Sequence, residues 1–290
     1  MFHRRVGLRQ FRMVVFTIAM ITCLTTTARA ETLTLHTRSQ VSDNSGGQPR
    51  YLTTTEMRSW KAEETAIIVC DMWDKHWCEG ATKSVSEMAL HMNTVIRQAR
   101  NKGVLIIHCP SSVVDYYKDT PMRKLAQQAP IDTALPLKRW AYLDPAREPP
   151  LPIDDSDGGC DCDPPCTTRQ AWSRQIDTIE IQPGDAITDN AEAFYLMKQR
   201  GIRNVIVMGV HMNMCVLGRP FSIRQMVYQG QNVVLMRDLS DTMYNHRQSP
   251  YVDHFDGNRL VTMHIERYWC PTITSTDITG KPAFRFAADK

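Results

Sequence analysis

The sequence predicts an α/β fold: a single domain of three layers, in which a parallel sheet is covered by helices on both faces. Two observations predict it. Short runs such as TAIIVCD (65–71), VLIIHC (104–109), NVIVMGV (204–210) and NVVLMRD (232–238) are apolar at consecutive positions and rich in β-branched residues. That pattern suits strands buried on both faces. Between them lie segments with apolar residues at helical spacing, and such an alternation with short links builds a parallel sheet.

In order along the chain, residues 1–30 stand apart. A basic start (MFHRRVGLRQFRM), a short apolar run (VVFTIAMITCLTTT) and ARA before Glu31 have the grammar of a secretory leader. Cleavage after Ala30 and a periplasmic or secreted location are expected. The leader carries five Arg and no acid, so Lys plus Arg falls from 34 to 29 against 31 acids, and the net charge moves from +3 to −2. Nothing suggests a nucleic-acid footprint, and no later segment is apolar enough to span a membrane.

Residues 31–63 read as a polar N-terminal extension, with a loop at Ser42–Arg50. The domain is expected over 64–275, followed by a tail at 276–290. Its first helix is predicted over Ser84–Asn101, with Ser84 and Glu87 as a capping box. IDTIEI (176–181) reads as a strand and Asp189–Arg200 as a helix closed by Gly201. Further helices are expected at 219–229 and 256–268, and a last strand at 271–275. The stretch 130–175, rich in Pro, Asp, Gly and Cys, has no apolar periodicity and reads as a long insertion.

Ligands of open parallel sheets bind beyond the carboxyl ends of the strands. The informative positions are therefore Asp71, His108, Gln182, Val210 to Cys215, and Asp238. Cys215 is the sharpest. It follows a buried strand in GVHMNMCVLGRP, with Pro220 suited to the first turn of a helix. A thiol at a helix N-terminus is a candidate nucleophile of lowered pKa; a small buried residue is the plainer alternative. Asp71 in CDMWDKHWC could take the thiol proton, or simply cap a loop. Trp73, His76, Trp77, His108, His211 and Asn213 are expected to line the pocket, although the aromatic residues would serve equally in a core. His91 and His264 read as ordinary helical histidines.

Eight cysteines remain once Cys23 leaves with the leader. In an oxidising compartment, cysteines tend to pair. CDCDPPC (Cys160, Cys162, Cys166) lacks the C-x2-C pairs of common zinc sites. Disulfides are the favoured reading, with Cys78 or Cys270 as candidate partners. Metal binding with Asp161 or Asp163 is the alternative.

The pair VCDMW…C and MGVHMNMCV, in that order over roughly 64–275, resembles the isochorismatase-like cysteine hydrolases, which include nicotinamidases and related small-amide hydrolases. The resemblance implies a six-stranded Rossmann-like sheet and an Asp–Lys–Cys triad working through a thioester-type intermediate. Asp71 would be the base and Cys215 the nucleophile. A non-proline cis peptide would fall at Val210–His211, and the His211 and Cys215 amides would form the oxyanion hole. The chain departs from the family at the lysine, whose place falls near Gln182, where no cation stands. Lys75 and Lys138 are the candidate substitutes. The metal pair of nicotinamidases has no match in HCPSSVVDYYKD, so no metal and no cofactor are expected.

Two functions remain open: an exported hydrolase cleaving a C–N bond of a small amide, and a catalytically silent relative binding a small molecule or partner in the same cleft. The expected partner is a small-molecule substrate, and assembly as a homo-oligomer is expected.

Overall fold

The computed structural model describes residues 1, 31–43, 45, 50–132, 137–168 and 171–290. Apart from Met1, the predicted leader lies outside them. Six parallel strands form the centre, all short and apolar: β3 (Thr65–Cys70), β4 (Leu105–Cys109), β5 (Ala186–Ile187), β6 (Asn204–Val210), β7 (Asn232–Asp241) and β8 (Thr272–Ile273). Side chains alternate between the faces. Ala66, Ile68 and Cys70 join one buried cluster, Ile67 and Val69 the other.

Helix α1 (Glu79–Asn101) covers one face, assisted by α7 (Thr276–Thr279). The other face carries α2 (Pro121–Gln127), α3 (Glu192–Gln199), α4 (Cys215–Gly218), α5 (Ile223–Tyr228) and α6 (His254–Tyr268). This is the three-layer α/β architecture that the alternation predicts. No helix among the described residues is long and apolar enough to cross a membrane.

The sheet has eight strands rather than six, in the order β2-β1-β8-β7-β6-β3-β4-β5. The extra pair is an antiparallel hairpin, β1 (Thr32–Asp43) and β2 (Arg50–Lys61), formed by the stretch read as a polar extension. β1 adds to the edge at β8 through Arg38 opposite Thr272. Leu33, Leu35 and Thr37 point inward at every second position, so half of this strand is apolar and half wet.

Other elements are shifted. The third parallel strand is Ala186–Ile187, not 176–181. Ile176 and Ile179 instead close a turn, with the Ile179 amide donating to the Ile176 carbonyl at 3.1 Å. Helix α1 starts at Glu79 with Cys78 as N-cap, so Ser84 and Glu87 lie inside it; Glu87 Oε1 takes the Ala287 amide instead. The predicted helix 219–229 begins only at Ile223, as α5; Arg219–Ser222, around Pro220, separate it from α4.

Strand order decides where a site can form. From β3 the chain steps outward to β4 and β5, then returns to place β6 on the other side of β3. β3 and β6 are thus neighbours whose following loops diverge, which is the topological switch point of an open α/β sheet. Gly209 lets them close there: with φ +114, a Cβ at this position would lie 2.0 Å from the Cys70 carbonyl oxygen.

Candidate active site

Asp71 is the first residue past β3, and its φ of 50 places it in the left-handed region that aspartate tolerates. Its amide closes the ladder onto the Cys109 carbonyl at 3.1 Å. The side chain is wholly buried. Oδ1 accepts the Ser111 amide at 2.8 Å, whereas Oδ2 has no hydrogen-bond partner of ordinary geometry. Oδ2 belongs to a carboxyl that feels the Cys215 thiol and the Arg219 guanidinium. Burial lifts this carboxyl to about 6, against the thiol, the guanidinium and the Ser111 contacts, which hold it down.

Cys215 opens α4, five residues past β6. The Val210–His211 peptide is cis, at the bond the resemblance points to. The turn is pinned by the Met214 and Val216 amides, which both donate to the His211 carbonyl, and by the Met212 amide on the Asp241 carbonyl. Asn213 secures it further. Its Nδ2 donates to the Met243 carbonyl at 3.0 Å and to Asp155 at 2.7 Å, and its Oδ1 accepts the Met243 amide at 2.9 Å. The Cys215 thiol is half-buried and packs against the cluster that holds Cys70 and Cys109.

The expectation of a lowered thiol pKa is overturned. Burial pushes the Cys215 thiol well above its ordinary value, Asp71 adds to this, and Arg219 opposes it. α4 is four residues long, so its dipole is slight. The resting pair is therefore a neutral thiol beside a buried carboxylate.

The cation of this site is Arg219, which the sequence reading missed. It lies four residues after Cys215, one helical turn on. Burial works against its charge, but Cys215 and Asp71 outweigh that and hold the guanidinium protonated. It also stacks over Trp140, 5.6 Å from the ring centroid. Trp140 comes from the insertion and presses on Gly218, where an added Cβ would lie 2.5 Å from the ring. Ala141 then donates its amide to the Gly218 carbonyl at 2.7 Å.

Gln182 does not reach the site. It lies ahead of β5, with its amide on Asp185 and its side chain toward Glu180. The residue at the C-terminal end of β5 is Thr188; it is buried and bonded to Glu192. Lys75 is solvent-exposed, and the ionisable groups acting on Cys215 are Asp71 and Arg219.

His108 is not a lining residue either. It points to the opposite side of β4 from Cys109, fully buried, between Gln175 Oε1 at 3.0 Å and Asp185 Oδ2 at 3.2 Å. Trp73, His76, Trp77 and His211 do come together. Trp73 stacks on Trp172 at 4.0 Å, and His76 lies 5.4 Å from Trp172, 5.3 Å from Trp77 and 5.2 Å from His211. Burial lowers His76 to about 4 and His211 to about 3, so both rings are neutral near pH 7. These rings form a packed, uncharged aromatic cluster beside the turn that carries Cys215.

No disulfide exists among the described residues. Cys270 is buried alone in the core, and Cys78 meets Cys160, Cys162 and Cys166 as a cluster rather than as bonded pairs. Strand β7 runs past Asp238 to Asp241, which is buried and paired with His254 at 2.9 Å.

Comparison with known proteins gives the following. A family model described as the isochorismatase domain matches residues 65–256. A cysteine hydrolase from Pseudomonas syringae pv. phaseolicola is 19% identical, with 76% of this chain and 93% of that one covered and a TM-score of 0.49. An isochorismatase from Pseudomonas putida is 14% identical, with coverage of 76% and 92% and a TM-score of 0.46. The N-carbamoylsarcosine amidase of Thermoplasma acidophilum is 13% identical, with coverage of 73% and 96% and a TM-score of 0.39. No curated protein matches.

Proposed function

The chain belongs to the isochorismatase domain family, and on that premise we propose that it is a cysteine hydrolase cleaving the C–N bond of a small amide. One observation carries this reading: Cys215, Asp71 and Arg219 interact with one another at the switch point, with a buried carboxylate oxygen left without a hydrogen bond. An unpaired buried acceptor is costly, and its carboxyl acts on the thiol whose proton the reaction must remove.

In the proposed reaction, Asp71 accepts the Cys215 proton as the sulfur attacks the amide carbon. The C–N bond breaks, Asp71 returns the proton to the departing amine, and a thioester remains. Water then attacks the thioester carbon, giving its proton to Asp71. The carboxylic acid leaves as the regenerated thiolate recovers that proton. Arg219 cannot shuttle protons, because a guanidinium stays charged. It would balance the two negative groups that alternate during the cycle. The His211 and Cys215 amides would receive the oxyanion. The uncharged aromatic cluster of Trp73, His76, Trp77 and His211 beside the turn would favour a planar, uncharged substrate.

The test is ammonia or amine release from a panel of small carboxamides and carbamoyl compounds, with intact-mass detection of an acyl group on Cys215. Turnover lost in Cys215→Ala supports the proposal. Neither turnover nor an acyl adduct across the panel, with the thiol free, would favour the second reading. That reading is a silent relative binding small molecules in the same cleft, and it is favoured by the raised thiol and by Thr188 at the strand end. Ligand-induced thermal shifts without turnover would establish it. We also propose, from the leader at 1–30, that the protein acts after export; mass spectrometry of the exported protein should then begin at Glu31.

A further inference from the structure

Away from Cys215, four cysteines from two distant stretches converge. Cys78 caps α1, and Cys160, Cys162 and Cys166 come from the insertion. Their sulfurs all lie within 4.8 Å of one another, and Cys78 and Cys162 are 3.7 Å apart. A disulfide would draw two sulfurs to about 2.05 Å and leave the others out. A tetrahedron of Zn–S bonds of about 2.3 Å has edges of about 3.8 Å. We propose that Cys78, Cys160, Cys162 and Cys166 hold one zinc ion as a closed tetrathiolate site that clasps the insertion to the catalytic layer.

Backbone donors are aimed at the cluster. Gly80 donates its amide to Cys162 Sγ at 3.2 Å, and Glu79 donates to Cys166 Sγ at 3.4 Å. Two of the four sulfurs thus accept a backbone N–H, the orienting support expected around metal thiolates. Both donors belong to the first turn of α1, a helix of 23 residues whose positive end faces the cluster. Arg247 adds a cation, bonded to the Cys162 carbonyl at 2.9 Å. That compensation suits the double negative charge of zinc bound by four thiolates. An all-sulfur tetrahedral set selects zinc over harder cations, and it leaves no open position for catalysis.

The clasp has something to hold. Asp155, Asp157 and Asp161 of the same loop reach Asn213, Asn245 and His246. Gly159 sits so close to Met243 that a Cβ would fall 2.2 Å from its carbonyl oxygen. Met214, the neighbour of Cys215, packs on the cysteine cluster. The site would therefore position the turn that carries the nucleophile.

The experiment measures zinc in the purified full-length protein by elemental analysis, then exchanges it for cobalt and records the visible spectrum. One zinc per chain and the thiolate charge-transfer and tetrahedral bands of cobalt are expected. The double variant Cys160→Ser/Cys166→Ser should lower bound metal to less than about a tenth, whereas Cys215→Ala should keep it in full. If the double variant does not fold, the wild type still decides the matter. The four cysteines should resist alkylation until a chelator is added, while Cys215 does not depend on it. Absence of metal after reducing reconstitution with zinc, or two disulfides joining these four residues in the protein as exported, would overturn the proposal.

Discussion

Two groups of cysteines lie in this molecule, and the backbone treats them in opposite ways. Cys70, Cys109 and Cys215 surround the buried Asp71 and sit among hydrocarbon; burial pushes all three thiols well above their ordinary range. Cys78, Cys160, Cys162 and Cys166 stand together at the head of a long helix, whose Gly80 and Glu79 amides donate to Cys162 and Cys166. The first setting keeps sulfur protonated until a base acts on it. The second favours sulfur as a ligand. The same residue type is thus sorted into two chemistries by what the main chain donates and by which charged side chain stands beside it.

The sharpest way to break this contrast is to remove the proposed nucleophile. Cys215→Ala should lower kcat by about 10^4-fold or more, as for other covalent nucleophiles, while the four-cysteine cluster is untouched. Retained turnover would show that another group attacks.

Asp71→Asn should cost about 10^2- to 10^4-fold in kcat, the range for a general base, and should also stabilise the fold. The folded carboxyl sits near 6, above its unfolded value of 3.8. Its charge therefore destabilises the protein above pH 6, and the penalty is relieved as pH falls from 6 toward 3.8. At pH 7 the gain for the amide is about 3 kcal/mol, read as a rise in Tm. For the same reason kcat/KM of the wild type should rise with pH through about 6. A profile flat from pH 5 to 7 would remove Asp71 as the base.

Arg219→Met should lower kcat by about 10^2-fold, the cost of losing one charge-stabilising group, and should raise the apparent pKa of Cys215 alkylation. Arg219→Lys should recover part of both, whereas Lys75→Ala should change neither. An effect of Lys75 comparable to that of Arg219 would place the cation in the first loop instead.

The smallest effects concern the scaffold around the turn. His254 is pushed down by burial, but Asp241 outweighs this and lifts it to about 9. The pair contributes its full stability below pH 6.5, and the contribution is lost as pH rises through 9. His254→Ala leaves Asp241 buried without its cation and should cost about 3–5 kcal/mol in denaturant unfolding at pH 7. Gly218→Ala should cost about 1–3 kcal/mol, because Trp140 must move off Arg219.

Much of this was legible in the residues themselves. Asp71 and Cys215 could be named because each follows a run of consecutive apolar residues, and such runs can only be buried strands whose ends meet at the ligand-binding edge. Five of the six parallel strands, α1 and α6 follow from local pattern in the same way, to within a turn or so; the edge strand β5 does not. The hairpin β1–β2 was also written in the sequence, as the alternation of Leu33, Leu35 and Thr37, but its polar half masked it.

Other features only the tertiary structure decided. Arg219 stands in the charge-balancing place because Pro220 ends α4 and holds the chain near Cys215; spacing suggests the pair, but not what it faces. Gln182 fell away because the edge strand forms at Ala186–Ile187, after the Pro183–Gly184 turn rather than before it. Trp140, Trp172 and Asp155 come from an insertion without periodicity, whose path is set by what it packs against. The four cysteines show the division most clearly. Local sequence places three of them within seven residues, but Cys78 lies over eighty residues away. Only the folding of the insertion onto the head of α1 brings it to them, because the energy of a metal site depends on distances in space and not along the chain.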